Sequence, residues 1–150
     1  MLSASTKLCQ DVHLTDLEKM AEIESQLFGD PWTPTMLYAE FANKSILSRK
    51  LVIDENIMGY HFTLLIPPEA ELHNIAVRQA SQGNGFGRIL LEDSLELSRS
   101  AECQTVFLEV RESNVAARSL YESMHFKIVG KRERYYNMHT EDAILYRWDA

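Results

Sequence analysis

The chain reads as an α/β fold of the α+β, mixed-sheet kind, with about seven mostly antiparallel strands and about four helices. Three observations predict this. A run of short segments rich in β-branched and aromatic residues, from Arg49 to Val77, has the look of an antiparallel meander. A glycine-rich turn, Gln82-Gly83-Asn84-Gly85-Phe86-Gly87-Arg88, then joins the apolar Asn74-Ile75-Ala76-Val77 to the helical pattern starting Ile89-Leu90-Leu91. Two further strand patterns close the chain. The order β-α-α-β-β-β-α-β-α-β-β puts a meander ahead of the glycine turn, which argues against a doubly wound parallel sheet.

Each element has a local reason. Lys7 to Leu14 suits a first strand. Thr15-Asp16-Leu17-Glu18 has capping-box spacing, and Leu17, Met20, Ile23, Glu24 and Leu27 follow at helical spacing toward Gly29. Asp30-Pro31-Trp32-Thr33-Pro34 is a loop, with Thr33 as cap and Pro34 at the first position of a second helix that runs to about Asn43. Arg49–Ile53, Ile57–Ile66 and Glu71–Val77 are strands, separated by Asp54-Glu55-Asn56 and by Pro67-Pro68. A helix from about Gly85 to Arg99, a buried strand Thr105–Val110, and a helix Asn114–Met124 follow. Lys127–Tyr135 and Ala143–Trp148 are the last strands.

The 150 residues are 45% hydrophobic and 25% charged, which suits one domain over 1–150 with a sizeable core. The net charge of -7 and the lack of a basic patch argue against a nucleic-acid partner; the densest cluster, Lys131-Arg132-Glu133-Arg134, is broken by an acid. An acidic surface would attract a basic partner. Cys9 and Cys103 have neither zinc nor disulfide spacing, so no metal is expected and both are read as reduced thiols. The first residues lack a charged-then-apolar leader pattern, and the longest apolar stretch, Phe62 to Ile66, is too short to span a bilayer. A cytoplasmic monomer with no membrane partner is the expectation.

Three of the six glycines fall within Gly83–Gly87. Glycine admits positive φ and exposes bare amides, and a helix start adds unpaired N–H donors, so the turn suits a phosphate or pyrophosphate. Its spacing fails both common nucleotide motifs. Arg88 stands where G-x-G-x-x-G needs glycine, and G-x-x-x-x-G-K-[ST] is absent. The turn by itself is either an anion cradle or only a turn.

Context decides between these. With Gln82, Gly85 and Gly87 in Q/R-x-x-G-x-G/A, the stretch from Asn74 to Leu91 resembles the acetyl-CoA-binding motif of the GNAT superfamily of N-acetyltransferases. The run Leu108 to Glu122 resembles that superfamily's second cofactor motif, with Asn114 and Tyr121 seven residues apart. Within the superfamily, Leu108-Glu109-Val110-Arg111, Arg134-Tyr135-Tyr136, Glu141-Asp142-Ala143-Ile144 and the loop Phe28 to Thr33 are similar to the bacterial ribosomal-protein-alanine N-acetyltransferases. Two positions depart from the pattern: Gly83 replaces a usual arginine, and His125 replaces a helix-ending glycine.

The resemblance implies acetyl-CoA as co-substrate, with no metal, and the N-terminal amine of a small-subunit ribosomal protein as acceptor. It implies Glu109 as general base through a water and Tyr121 as acid toward the departing sulfur. It also implies cofactor contacts from Ile75, Ala76, Val77, Gly83, Asn84, Gly85, Phe86, Gly87, Arg88, Asn114 and Tyr121. Attack is direct, in a ternary complex, so Cys103 is not a nucleophile. Trp32, Tyr135 and Tyr136 are the candidate substrate contacts, and His73 is a possible second base.

Simpler readings stand beside these at this point. Glu109 could be an edge-strand carboxylate or a partner for Arg111 or Arg118. Tyr121 could be core, Asn114 a helix cap, Arg88 solvated, and Trp32 packing. A lysine or small-molecule amine acetyltransferase, and a non-catalytic acyl-CoA-binding module, are the competing functions.

Overall fold

The computed structural model describes residues 8–136 and 141–150; for Arg134, Tyr135 and Tyr136 it describes the backbone alone. A seven-stranded sheet in the order β1-β2-β3-β4-β5-β7-β6 carries the fold. Its strands are β1 (Cys9–Asp11), β2 (Ile46–Ile53), β3 (Asn56–Ile66), β4 (Glu69–Val77), β5 (Thr105–Arg111), β6 (Lys127–Tyr136) and β7 (Glu141–Asp149). The helices are α1 (Leu17–Leu27), α2 (Pro34–Ala42), α3 (Phe86–Ser100) and α4 (Val115–Ser123). Every neighbouring pair is antiparallel except β4–β5, so the sheet is mixed, as the element order requires.

β3 is buried along most of its length because helices cover both of its faces. Tyr60 and Phe62 point to one side, where they meet Leu17, Met20 and Ile23 of α1 and Leu37 of α2. His61 and Thr63 point to the other side and bond Asp93 and Ser94 of α3. Leu91 and Leu95 of α3 and Tyr121 of α4 pack with Val106, Leu108 and Val110 of β5 and with Tyr146 and Trp148 of β7. Each fully buried large apolar side chain contributes about 1.5–3 kcal/mol. These contacts fix α3, and with it the glycine turn, against the sheet.

Boundaries shift where tertiary partners extend or shorten a pattern. β1 is only Cys9–Asp11, because the chain enters a 3₁₀ turn at Leu14–Asp16. That turn displaces the expected Thr15–Glu18 box: the Asp16 carboxylate accepts from the His13 N–H at 2.7 Å and pairs with Lys50 Nζ at 2.6 Å. β2 begins at Ile46 rather than Arg49, since Leu64 and Thr63 of β3 supply partners for Ile46 and Leu47. β4 begins at Glu69 because Pro67 and Pro68 alone form the turn, leaving Ile66 paired with Glu69. Thr33 caps α2 as its position indicates, accepting from the Met36 N–H at 3.2 Å. His125 takes φ of 72°, the left-handed conformation of the glycine it replaces.

Candidate active site

The β4–β5 ladder runs in parallel from Glu69–Thr105 to Leu72–Leu108 and stops. Both strands continue, β4 to Val77 and β5 to Arg111, so a gap opens between them. Alternate backbone groups of an antiparallel strand face away from its partner. Those of β4 beyond Leu72 that do not face β3 are therefore turned toward the gap. Two cavities lie along it. One, of about 850 Å³, is lined by Ile75, Ala76, Val77, the glycine turn, Asn114 and Tyr121. The other, of about 160 Å³, is lined by Trp32, His73, Glu109, Asn114, Tyr121 and Glu24 among others. Asn114 and Tyr121 belong to both linings and mark the junction.

The larger cavity ends at the start of α3. Gly83 and Gly85 take φ of 82° and 80°, and a Cβ added at either would meet nothing within 4 Å. The turn needs glycine for its backbone while leaving space in front of it. Gly85 is the N-cap of α3 and, among the described residues, no side chain caps the helix, so the first amides keep their donors available. A Cβ at Gly87 would come within 3.3 Å of Leu120 Cδ2, so this glycine lets α3 approach α4. Open left-handed glycines, uncapped amides and a long cavity together fit a pyrophosphate and the chain attached to it. Arg88 lines the cavity while its Nη2 donates to Ser123 Oγ at 3.0 Å. Asn84 alone of the expected turn residues stays out of the lining. Its side-chain amide donates to the Ser81 carbonyl at 2.9 Å and braces the turn from behind.

Glu109 lies on β5 with its side chain 21% exposed, paired to Arg132 of β6 at 2.6 Å. Its ion partner is therefore neither Arg111 nor Arg118. Burial raises the Glu109 proton affinity and nearby Glu71 adds to that, while Arg132 opposes it; the carboxyl sits above its usual range. Tyr121 is buried, with its ring against Phe126 and Tyr146. It is thus core and cavity wall at once. Asn114 caps α4, its Oδ1 accepting from the Ala117 N–H at 3.2 Å, and lines both cavities as well. Trp32 likewise combines two roles, packing on Phe62 with ring centres 5.6 Å apart and lining the smaller cavity. The side chains of Tyr135 and Tyr136 lie outside the described residues. His73 holds Glu40 through Nδ1 at 3.0 Å, with Glu71 3.8 Å from Nε2. Cys103 is buried away from the gap, its thiol raised by desolvation and donating to the Glu69 carbonyl.

Two features are additional to those read from sequence. Arg111 joins Asp30 of the α1–α2 loop at 3.4 Å to Glu141 of β7 at 3.5 Å, which ties that loop to the rim of the gap. Glu24 of α1 is 1% exposed and lines the smaller cavity. Burial lifts its carboxyl to about 7, against the pull of an Asn74 hydrogen bond and the nearby Tyr60 hydroxyl. Its signal in the sequence was a carboxylate inside an otherwise apolar helix stripe, between Ile23 and Leu27.

Comparison with known proteins identifies the family. Residues 17–126 match the acetyltransferase (GNAT) family. An N-alpha-acetyltransferase RimI of Mycobacterium tuberculosis is 39% identical over 144 residues, covering 90% of this chain and 87% of that protein. A crystal structure of the ribosomal-protein-S18-alanine N-acetyltransferase from Escherichia coli superposes with a TM-score of 0.88 at 31% identity, covering 94% of this chain and 92% of the other. Arabidopsis thaliana NAA60 in complex with acetyl-CoA shares the fold, with a TM-score of 0.85 at 17% identity, covering 94% of this chain and 97% of the other. With more than half of its length matched, the chain belongs to the acetyltransferase (GNAT) family.

Proposed function

We propose that this chain, as one catalytic domain over 1–150, moves acetyl from acetyl-CoA to the N-terminal amine of an alanine-initiated, small-subunit ribosomal protein (bS18) in the cytoplasm. The observation that carries this reading is the junction at Asn114 and Tyr121, where a long cavity suited to the cofactor meets a small acid-lined chamber suited to an amine. Glu24, Asp30 and Glu109 all line the chamber, which favours a cationic acceptor segment. The relatives named above act, by their names, on N-terminal amines and on ribosomal-protein alanine.

The glycine turn and the first amides of α3 hold the pyrophosphate, and the free edge of β4 at Ile75–Val77 offers backbone partners to the pantetheine amides. The bound thioester supplies the acetyl group. The acceptor must attack as a neutral amine. An N-terminal amine, with a pKa near 7.7–8.0, is about a tenth neutral at pH 7, against well under a thousandth for lysine near 10.4. A carboxylate acting through one water therefore suffices. Glu109, its proton affinity raised by burial, takes the proton the nitrogen gives up as the N–C bond forms. The C–S bond breaks, and the Tyr121 hydroxyl donates a proton to the departing sulfur. No acyl-enzyme is needed, which agrees with a buried Cys103.

The test is release of free thiol by the purified chain with acetyl-CoA and a basic peptide beginning with alanine. Turnover with that peptide, and not with free small amines or an N-terminally blocked lysine peptide, supports the reading. Turnover confined to lysine or small amines moves the chain to those acceptors. Acetyl-CoA binding with no turnover on any of them leaves a binding module.

A further inference from the structure

A primary amine attacking a carbonyl carbon points its lone pair at that carbon. Its two N–H bonds then point elsewhere, and once the amine has given up its water each needs an acceptor. The reading above assigns one of them, through a water, to Glu109. The chamber wall formed by α1 holds a second carboxylate. Glu24 Oε1 accepts from Asn74 Nδ2, while Oε2 is buried and has no hydrogen-bond partner among the described residues. The Tyr60 hydroxyl is close, but its hydrogen bond runs to the Met20 carbonyl at 3.4 Å. A carboxylate oxygen left without a donor in a buried site is costly, so an incoming donor is the natural explanation for its retention.

We propose that Glu24 is a second substrate-contacting residue, its Oε2 accepting one N–H of the incoming amine so that the lone pair is aimed at the thioester. This rests on the amine-acetylating reading above. Asn74, on β4, clamps the other oxygen and fixes the carboxylate's orientation. The charged and titratable neighbours in the chamber are Glu109, Asp30, His73, Arg111 and Tyr121, with Tyr60 beside Glu24 from β3. Glu24 serves only when ionised, because a protonated Oε2 would present a donor to the nitrogen. With its carboxyl at about 7, activity should rise with pH through that value from this group as well as from the amine.

The experiment uses the intact chain, wild type and Glu24→Gln, with an alanine-initiated peptide and its des-amino counterpart. Glu24→Gln keeps the volume and the Asn74 contact while turning the free acceptor into a donor. Expected are a ten-fold or greater fall in kcat/KM for the alanine peptide, with KM for acetyl-CoA unchanged within two-fold. The variant should bind the alanine peptide more weakly to the CoA complex and the des-amino peptide as well as wild type does. A merely structural role would weaken both peptides alike, and that result overturns the proposal, as does wild-type kcat/KM in the folded variant. Glu24→Asp keeps the charge one methylene farther back. It should regain part of the lost kcat/KM, and if Glu24→Gln does not fold, loss of alanine-peptide but not des-amino-peptide binding in Glu24→Asp is the deciding result, with equal loss of both overturning the proposal. Wild type inactive on the alanine peptide would instead sink the acceptor assignment, so the two failures are told apart.

Discussion

Replacing Asp93 with asparagine should loosen the support beneath the glycine turn. Asp93 sits on α3, fully buried, and receives two contacts from the Arg49 guanidinium and one from His61. Arg49 Nε reaches Oδ2 at 3.1 Å, Arg49 Nη2 reaches Oδ1 at 3.0 Å, and His61 Nε2 meets Oδ2 at 2.8 Å. His61 Nδ1 continues the chain to Thr63, and Thr63 to Ser94. Burial alone would push the Asp93 carboxyl up; the bonds from His61 and Arg49 outweigh it and hold the group below its usual range. Burial pushes His61 down past the pull of Asp93, so this imidazole stays neutral and donates through Nε2. Asparagine keeps the shape but loses the charge, and it presents an N–H₂ to donors on at least one side. The Arg49 charge then loses its buried counter-charge and keeps the exposed Asp11 and the Cys9 carbonyl. Breaking a buried pair in this way costs about 3–5 kcal/mol. Against a total stability of about 5–15 kcal/mol that is a large fraction. Urea unfolding should show a much lower midpoint with an unchanged slope, and the melting temperature should fall by roughly 6–20 °C, at about 2–4 °C per kcal/mol for a chain this size. A loss below about 1 kcal/mol would refute the view that this network anchors α3.

The same network sets a pH dependence. The folded His61 resists protonation while the unfolded one titrates near 6.5, so wild-type stability should begin to fall as pH drops below about 6.5. Asp93 adds a second loss as pH falls below about 3.9, where only the unfolded carboxyl takes up protons readily. Urea titrations at pH 7, 5.5, 4 and 3 read both losses directly. Gly85→Ala forces a methyl group into the left-handed region, at a cost of about 1–2 kcal/mol, and directs it into open space in front of the α3 amides. KM for acetyl-CoA should rise several-fold, and an unchanged KM would remove the turn from the cofactor site. Glu109→Gln and Tyr121→Phe should each lower kcat by about 10²-fold or more with acetyl-CoA affinity within a few-fold. Because Arg132 is about half exposed, Glu109→Gln should cost at most about 1 kcal/mol of stability. Wild-type turnover in both variants would sink the assignment of base and acid.

Most of the fold was legible because its signals are local. Pro67-Pro68 closes β3, Thr33-Pro34 opens α2 and Asn114 caps α4, each through chemistry contained in a few residues. The starts of β2 and β4 were less legible, since they depend on which residues of the neighbouring strand are available, and the end of β1 was hidden by the 3₁₀ turn that follows it. The glycine turn and Tyr121 were singled out through spacing joined to family resemblance. Glu109 was singled out in the same way, but its ion-pair partner was not legible, because Arg132 comes from β6, two strands away in the sheet order. Glu24 was read as one more position on a helix stripe. Its significance depends on Asn74, fifty residues away, and on a gap that exists only because β4 and β5 part after Leu72 and Leu108.

The central claim is that the acetyl group goes to a backbone N-terminus. A peptide beginning with alanine and carrying an internal lysine, incubated with the wild-type chain and acetyl-CoA and then sequenced by fragmentation mass spectrometry, tests it most directly. One acetyl group on the alanine nitrogen, with the lysine unmodified, is the predicted product. Acetyl on the lysine with a free alanine amine would contradict the account.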